Sequence, residues 1–286
     1  SGSIRYHRPS LAIGMGPVLG LVVCALVTVG ARNGLRNKTP ALSLITLSCV
    51  LFAALFLSTV SADRNYWWYM NSYYTYEDLG SYTNIDPSAD KGQSFMDAGQ
   101  VYFREGSKVA VSDMLAFKSD STYCVAPIVS QPLWSQGDAT QQQTGGPVNM
   151  PPSGTVDFWA VGTDCCSTTT KSFNCSGARE PTARSGLRLL RDDQRPFYLL
   201  AVQAWVAQNC PTDDNTAQGR AESAPLVCLP ARHPLFFYWV EDPLLAVSNY
   251  YAESKRLFGM HVVLFFILDT VLTVGLFLSL SKLGLY

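Results

Sequence analysis

A stretch of about 20 residues with almost no charge leaves a chain few choices. Only a helix satisfies its own backbone while crossing a hydrocarbon layer of ~30 Å. This sequence holds three such stretches, residues 11–31, 40–62 and 257–281, and a polar insert, residues 63–256, lies between the second and third. The expected fold class is therefore an integral membrane protein. Three transmembrane helices are expected, plus an α+β, disulfide-braced extramembrane domain inserted between helices 2 and 3. Residues 1–62 would supply two spans joined by a short basic linker, 63–256 the lumenal or external domain, and 257–286 the third span and a short tail. An insert of roughly 190 residues is long enough to bury one core.

Charge narrows the partners. The 21 Lys and Arg nearly balance the 22 Asp and Glu for a net charge of −1, and no basic run is interleaved with aromatics. That excludes nucleic acid as the expected partner and leaves membrane lipids and other integral membrane subunits. No signal-peptide or transit-peptide pattern is read in the chain. The linker Arg32-Asn33-Gly34-Leu35-Arg36-Asn37-Lys38 is basic, which suits a cytoplasmic or stromal side and puts the insert on the opposite one.

Cysteine placement supports that topology. Of the eight cysteines, Cys24 and Cys49 fall in apolar stretches and read as small apolar filler, while Cys124, Cys165, Cys166, Cys175, Cys210 and Cys228 fall in the insert. Zinc sites want pairs two to four residues apart, and no C-x-x-C occurs. An even set in a translocated segment reads instead as a disulfide framework in an oxidising compartment. Adjacent Cys165 and Cys166 are expected to bond different partners, since pairing with each other needs a strained eight-membered ring. Neither has a neighbouring cation that would lower its pKa for redox work. Asn174-Cys175-Ser176 forms a glycosylation sequon, which loses its meaning outside the secretory pathway or once Cys175 is bridged.

Inside the spans, Gly16 and Gly20 form a small-xxx-small pair that admits a close helix neighbour, with Pro17 between them as a bend. Asp269 sits near the middle of the third stretch, where a carboxyl must face protein or be protonated. Its readings are a proton, ion or cofactor contact, or a neutral acid bonded to Ser43, Thr46 or Ser48. His261, two turns earlier, reads either as an interfacial histidine or as a ligand for a pigment such as chlorophyll; a carotenoid is the other pigment considered at the transmembrane surface. Tyr66-Trp67-Trp68-Tyr69 reads as an aromatic belt, and Tyr73, Tyr74 and Tyr76 as a partner-facing surface.

The insert then turns β. Residues 100–103 and 108–111 flank a Gly-containing loop and predict a hairpin. Residues 122–129, 155–162 and 233–240 predict further strands. Residues 135–154 read as a loop and 189–209 as a helix, with Asp192 and Asp193 at its start. From Pro243 one long helix is expected to run into the third stretch. Asp157, Asp164, Asp192 and Asp193 read as a solvated acidic surface. No histidine groups with them, and no G-x-S-x-G, P-loop, dinucleotide or calcium fingerprint occurs.

The run Phe158-Trp159-Ala160-Val161-Gly162-Thr163-Asp164-Cys165-Cys166-Ser167, followed by Phe173-Asn174-Cys175, resembles a signature of membrane-anchored proteins in dinoflagellate algae. Ala183-Arg184-Ser185-Gly186-Leu187, Arg191-Asp192-Asp193-Gln194 and Pro234-Leu235-Phe236-Phe237-Tyr238-Trp239 extend the resemblance over about the second half of the insert. It implies no activity. It implies a setting, with a thylakoid photosystem–antenna supercomplex as the favoured one and a lumen that permits disulfides. The expected function is a non-catalytic accessory subunit. The alternative is a plasma-membrane or endomembrane receptor or adhesion protein with a ligand-binding ectodomain.

Overall fold

The structure, a computed structural model, describes residues 2–36, 42–130, 156–167, 169–209, 231 and 233–282. The chain divides into two compact units, Ser1–Thr75 with Ser248–Tyr286, and Tyr76–Val247.

The first unit is helical. Helices α1 (Gly2–His7), α2 (Pro9–Arg36) and α3 (Leu42–Asn65) lead into a π-helical turn at Tyr66–Met70 and then α4 (Asn71–Asp78). α2 and α3 pack on each other, and Arg5 pairs with Asp63 across the bundle. Of the three expected spans, one is supported among the described residues: Pro243–Gly275 is long and apolar enough to cross a membrane, and none of its apolar window is buried. The described apolar stretch of α2, Val18–Gly34, is shorter.

The second unit is built on strands β1 (Gly80–Ile85), β2 (Ala98–Phe103), β3 (Ser107–Val109), β4 (Leu115–Lys118), β5 (Thr122–Ser130), β6 (Phe158–Thr163), β7 (Cys166–Ser167), β8 (Ser172–Phe173) and β9 (Ser185–Arg188). Helix α5 (Arg195–Asn209), strand β10 (Leu235–Val240) and helix α6 (Pro243–Lys282) complete the chain. Eight strands form one sheet in the order β1-β2-β9-β10-β6-β5-β3, with β4 also on β5; β7 and β8 pair separately.

The middle of the sheet is buried on both faces. β6 and β10 are parallel, and Phe158, Trp159, Ala160, Val161, Leu235, Phe236 and Phe237 are all almost fully buried. This is why the two strands read as continuous apolar runs. One face carries Val101, Phe103, Phe158, Phe237 and Trp239, with Phe103 stacked on Trp239 at 5.5 Å and edge-on to Phe158 at 5.8 Å. The other receives α5, whose Tyr198, Ala201, Val202 and Trp205 cover Tyr123, Val125, Trp159 and Phe236.

The sheet curls around its first face until its ends meet through side chains. Asp86, just past β1, accepts hydrogen bonds from Ser130 Oγ at the end of β5 (2.8 Å), Ser88 N–H (3.0 Å) and Arg104 (3.0 Å).

The predicted hairpin does not form. The loop after β2 is closed by the Ser107 N–H to Arg104 carbonyl bond (3.1 Å), with Gly106 at φ 85°. A single positive φ at the third turn position gives type II geometry, which splays the flanking strands where a primed turn would pair them. β2 pairs with β1 and β9, and β3 with β5. The predicted helix at 189–209 starts six residues late, at Arg195, because Leu189 N–H extends the β9–β10 ladder to Phe236 O at 2.9 Å. The long helix from Pro243 forms as expected: Asp242 Oδ1 caps it by accepting from Leu244 N–H at 2.9 Å, and proline takes the first helical position. Tyr76, expected on a partner surface, is buried with its hydroxyl donating to Arg188 O at 2.6 Å. The predicted loop at 135–154 lies outside the described residues.

Burial alone would raise the Asp86 carboxyl, but its hydrogen bonds from Ser130, Ser88 and Arg104 outweigh that and hold it below the ordinary carboxylate range. A carboxyl with a lower pKa folded than unfolded stabilises the fold above its unfolded value of ~3.9. That contribution is lost as pH falls through the lower folded value. Asp86→Asn should cost ~2 kcal/mol near neutral pH. In urea titrations of the full chain, the gap from wild type should narrow steadily as pH drops below ~3.9.

Candidate functional site

Four cysteines of the insert form two disulfides, Cys124–Cys166 and Cys165–Cys175, with Cα–Cα distances of 6.0 and 4.9 Å. The neighbours Cys165 and Cys166 thus go to different partners. Cys166 ties β7 to β5, and Cys165 ties the turn after β6 to the segment after β8. Cys210 and Cys228 lie outside the described residues. The sulfurs of Cys124, Cys165 and Cys175 lie within 4.8 Å of one another, but each is consumed in an S–S bond and offers no thiolate for a metal. Gly162 makes the crossing possible. It faces Cys124 across β5–β6, and a Cβ there would collide with the sulfurs of Cys165 and Cys175. In the sequon, Asn174 is exposed, its Oδ1 accepts from Arg179 at 2.7 Å, and Cys175 is buried in its bridge.

The four acids expected on a solvated surface separate into two kinds. Asp192 and Asp193 are exposed, and Asp193 pairs with Arg191. Asp157 is buried, with Oδ2 accepting from Gly92 N–H at 2.7 Å. It pins the turn holding Phe95 against the sheet, a contact 65 residues away that no local pattern reveals. Asp164 takes a left-handed backbone (φ 55°) and accepts from Thr122 N–H at 2.8 Å. His233 is exposed. A groove of about 570 Å³ runs past Thr83, Asn84, Tyr102, Arg104, Glu105 and Arg184. Arg104 is committed to Asp86, and the Tyr102 hydroxyl donates to Asp242 Oδ1 at 3.0 Å. Among the described residues, these groups do not assemble a nucleophile, a base and an orienting acid.

Unit one holds a second cavity, of about 220 Å³, between α3 and α6. Ser61, Arg64 and Asn65 line it from α3, Trp68 and Tyr69 from the π-turn, and Leu257 and His261 from α6. The Asn65 amide bridges the helices by donating to Ser254 O at 3.2 Å, and its Oδ1 has no hydrogen-bond partner. Arg64 lies over the Trp68 ring at 4.8 Å. His261 Nδ1 is 2.9 Å from Leu257 O. A carbonyl only accepts, so Nδ1 is the donor in this contact. His261, singled out in the sequence, thus lines a cavity together with Arg64 and Asn65, which the sequence did not single out. The signal was the π-turn, a feature that clusters at functional positions but has no sequence signature.

Asp269 is exposed on α6 and makes no hydrogen bond or ion pair among the described residues. The side chains of its expected companions Ser43, Thr46 and Ser48 lie outside the described residues. A Cβ at Gly20 would meet nothing within 4 Å, so the expected close neighbour is not found there, and the surroundings of Gly16 lie outside the described residues. Of the expected aromatic belt, Trp67 and Trp68 are exposed, whereas Tyr66 is buried.

No protein-family model, curated protein or solved structure matches this chain.

The loops closed by the two bridges, 42 and 10 residues apart in sequence, predict contributions of ~4 and ~3 kcal/mol on a chain-entropy account. Non-reducing peptide mapping should recover the pairs 124–166 and 165–175. Gly162→Ala should scramble or free the second pair, seen as newly alkylatable thiol at Cys165 and Cys175 in the native protein.

Proposed function

We propose that this chain is a non-catalytic accessory subunit of a larger membrane complex, anchored by α6 with α2 and α3 as companion spans and presenting the disulfide-braced domain on the lumenal or external side. The observation that carries the reading is the state of α6. Its apolar window has no buried residue; Phe266, Val271 and Leu278 are 74%, 64% and 55% exposed. In their midst sits Asp269, whose carboxyl has no partner among the described residues. Lipid can cover the apolar side chains but gives a carboxyl no hydrogen-bond partner. A helix of another subunit can do both, and Gly20, with nothing within 4 Å of an added Cβ among the described residues, would offer such a helix a second point of close approach. The photosystem–antenna setting, the thylakoid location and bound chlorophyll or carotenoid rest on the sequence resemblance alone.

Extraction in mild detergent followed by native electrophoresis tests the reading. The chain should migrate within a larger assembly, and migration alone under every gentle condition would remove the proposal. Asp269→Asn keeps a hydrogen-bonding head and should assemble nearly normally. Asp269→Leu should weaken assembly by roughly 0.6–2 kcal/mol, the range for interhelical hydrogen bonds in membranes. A mobility shift on glycosidase treatment would redirect the reading to a secretory-pathway receptor through Asn174.

A further inference from the structure

The cavity between α3 and α6 is polar at the point where α3 stops being apolar. Above residue 60 that helix reads Ser61, Asp63, Arg64 and Asn65 where it had read Leu55, Phe56 and Leu57. The lining includes a guanidinium but no acid. Arg64 is exposed and has no carboxylate partner among the described residues, and the nearest acid in sequence, Asp63, is taken by Arg5. On α6, Glu253 is taken by Arg256 at 3.5 Å, and Lys255 lies over Tyr251 at 4.2 Å. Arg64 thus brings to the cavity a guanidinium that no acid among the described residues pairs with.

The remaining lining groups offer acceptors. The Ser61 hydroxyl can accept as well as donate, Asn65 Oδ1 lacks a donor, and Nε2 of a His261 ring that donates from Nδ1 to Leu257 O would accept whenever that ring is neutral. One cation beside two or three acceptors complements a group that carries a negative charge and free hydroxyls together. At about 220 Å³ the cavity is smaller than the usual range for drug-sized ligands, and is scaled to a headgroup. Trp68 and Tyr69 at its rim are residue types that settle at the headgroup level of a bilayer. Phe258, Val262 and Phe266 continue from it along α6 as an exposed apolar track for acyl chains.

We propose that this cavity is a headgroup site for an anionic glycerophospholipid with free hydroxyls, of the phosphatidylglycerol type. Arg64 would hold the phosphate, and Ser61, Asn65 and His261 would accept from the glycerol hydroxyls. The proposal rests on the membrane-anchored reading above but not on the identity of the complex.

The full-length chain, purified in a neutral detergent, can be titrated with phosphatidylglycerol and with phosphatidylcholine of the same acyl chains, and bound lipid counted by native mass spectrometry. Wild type should retain one phosphatidylglycerol at concentrations where phosphatidylcholine is not retained. Arg64→Gln should reduce that retention by about tenfold or more, the usual cost of a charge-assisted contact. Arg32→Gln, which removes the same charge from an exposed position near the C-terminal end of α2, should leave retention unchanged. Equal retention of both lipids would overturn the site, as would equal losses in the two arginine variants. Displacement of the lipid by millimolar inorganic phosphate would overturn the lipid as the source and leave a free anion as ligand. If Arg64→Gln does not yield folded protein, the wild-type preference between the two lipids decides. Assembly into a larger complex without any preference would sink the site alone and leave the accessory-subunit reading intact.

Discussion

The folded domain depends on the curling of its sheet around an aromatic interior. Phe103, Phe158, Phe237 and Trp239 come from three strands, β2, β6 and β10, and meet as stacked and edge-on pairs. Ring pairs of this kind add to the burial of their own area, and a flat sheet could not bring β2 and β6 together across β9 and β10. Curling in turn lets Asp86 close the ends through Ser130. It also leaves the outer face of β5, β6 and β10 free for α5, fixed by the Trp205 indole donating to Asp113 O at 2.6 Å. Truncating a ring such as Phe237 to alanine would remove packing on both sides at once, a loss of ~3–5 kcal/mol.

The disulfides reinforce the same construction at one edge. β7 and β8 are only two residues each, too short to hold together as an independent ribbon in water. The two bridges hold them to the sheet, and Gly162 leaves the room the sulfurs need. That arrangement gives a physical meaning to the Gly-Thr-Asp-Cys-Cys run. The glycine clears the space, Asp164 turns the chain with a left-handed backbone, and the two cysteines go to different partners in neighbouring bridges.

The helical unit faces a different problem. Its apolar side chains are turned outward, and an aqueous surroundings would leave contiguous apolar surface far beyond what soluble monomers expose. Asp269 in α6 and the Arg64–His261 cavity between α3 and α6 are the polar features that interrupt this surface, and the proposed partner helix and lipid headgroup would meet the chain there.

The sequence by itself determined the apolar stretches, the α+β character of the insert, the divergence of Cys165 and Cys166, and the long helix from Pro243. Each rests on information local to the chain: composition over about 20 residues, strand-length apolar runs, ring strain between adjacent cysteines, a proline after a capping aspartate. Only the tertiary structure decided which strands pair, why β2 and β3 part company, that Asp157 and Tyr76 are buried, which cysteine meets which, and that Arg64, Asn65 and His261 share one cavity. Those depend on contacts between residues tens to almost two hundred positions apart. Sheet curvature and a π-turn set these contacts, and neither leaves a mark in residue spacing.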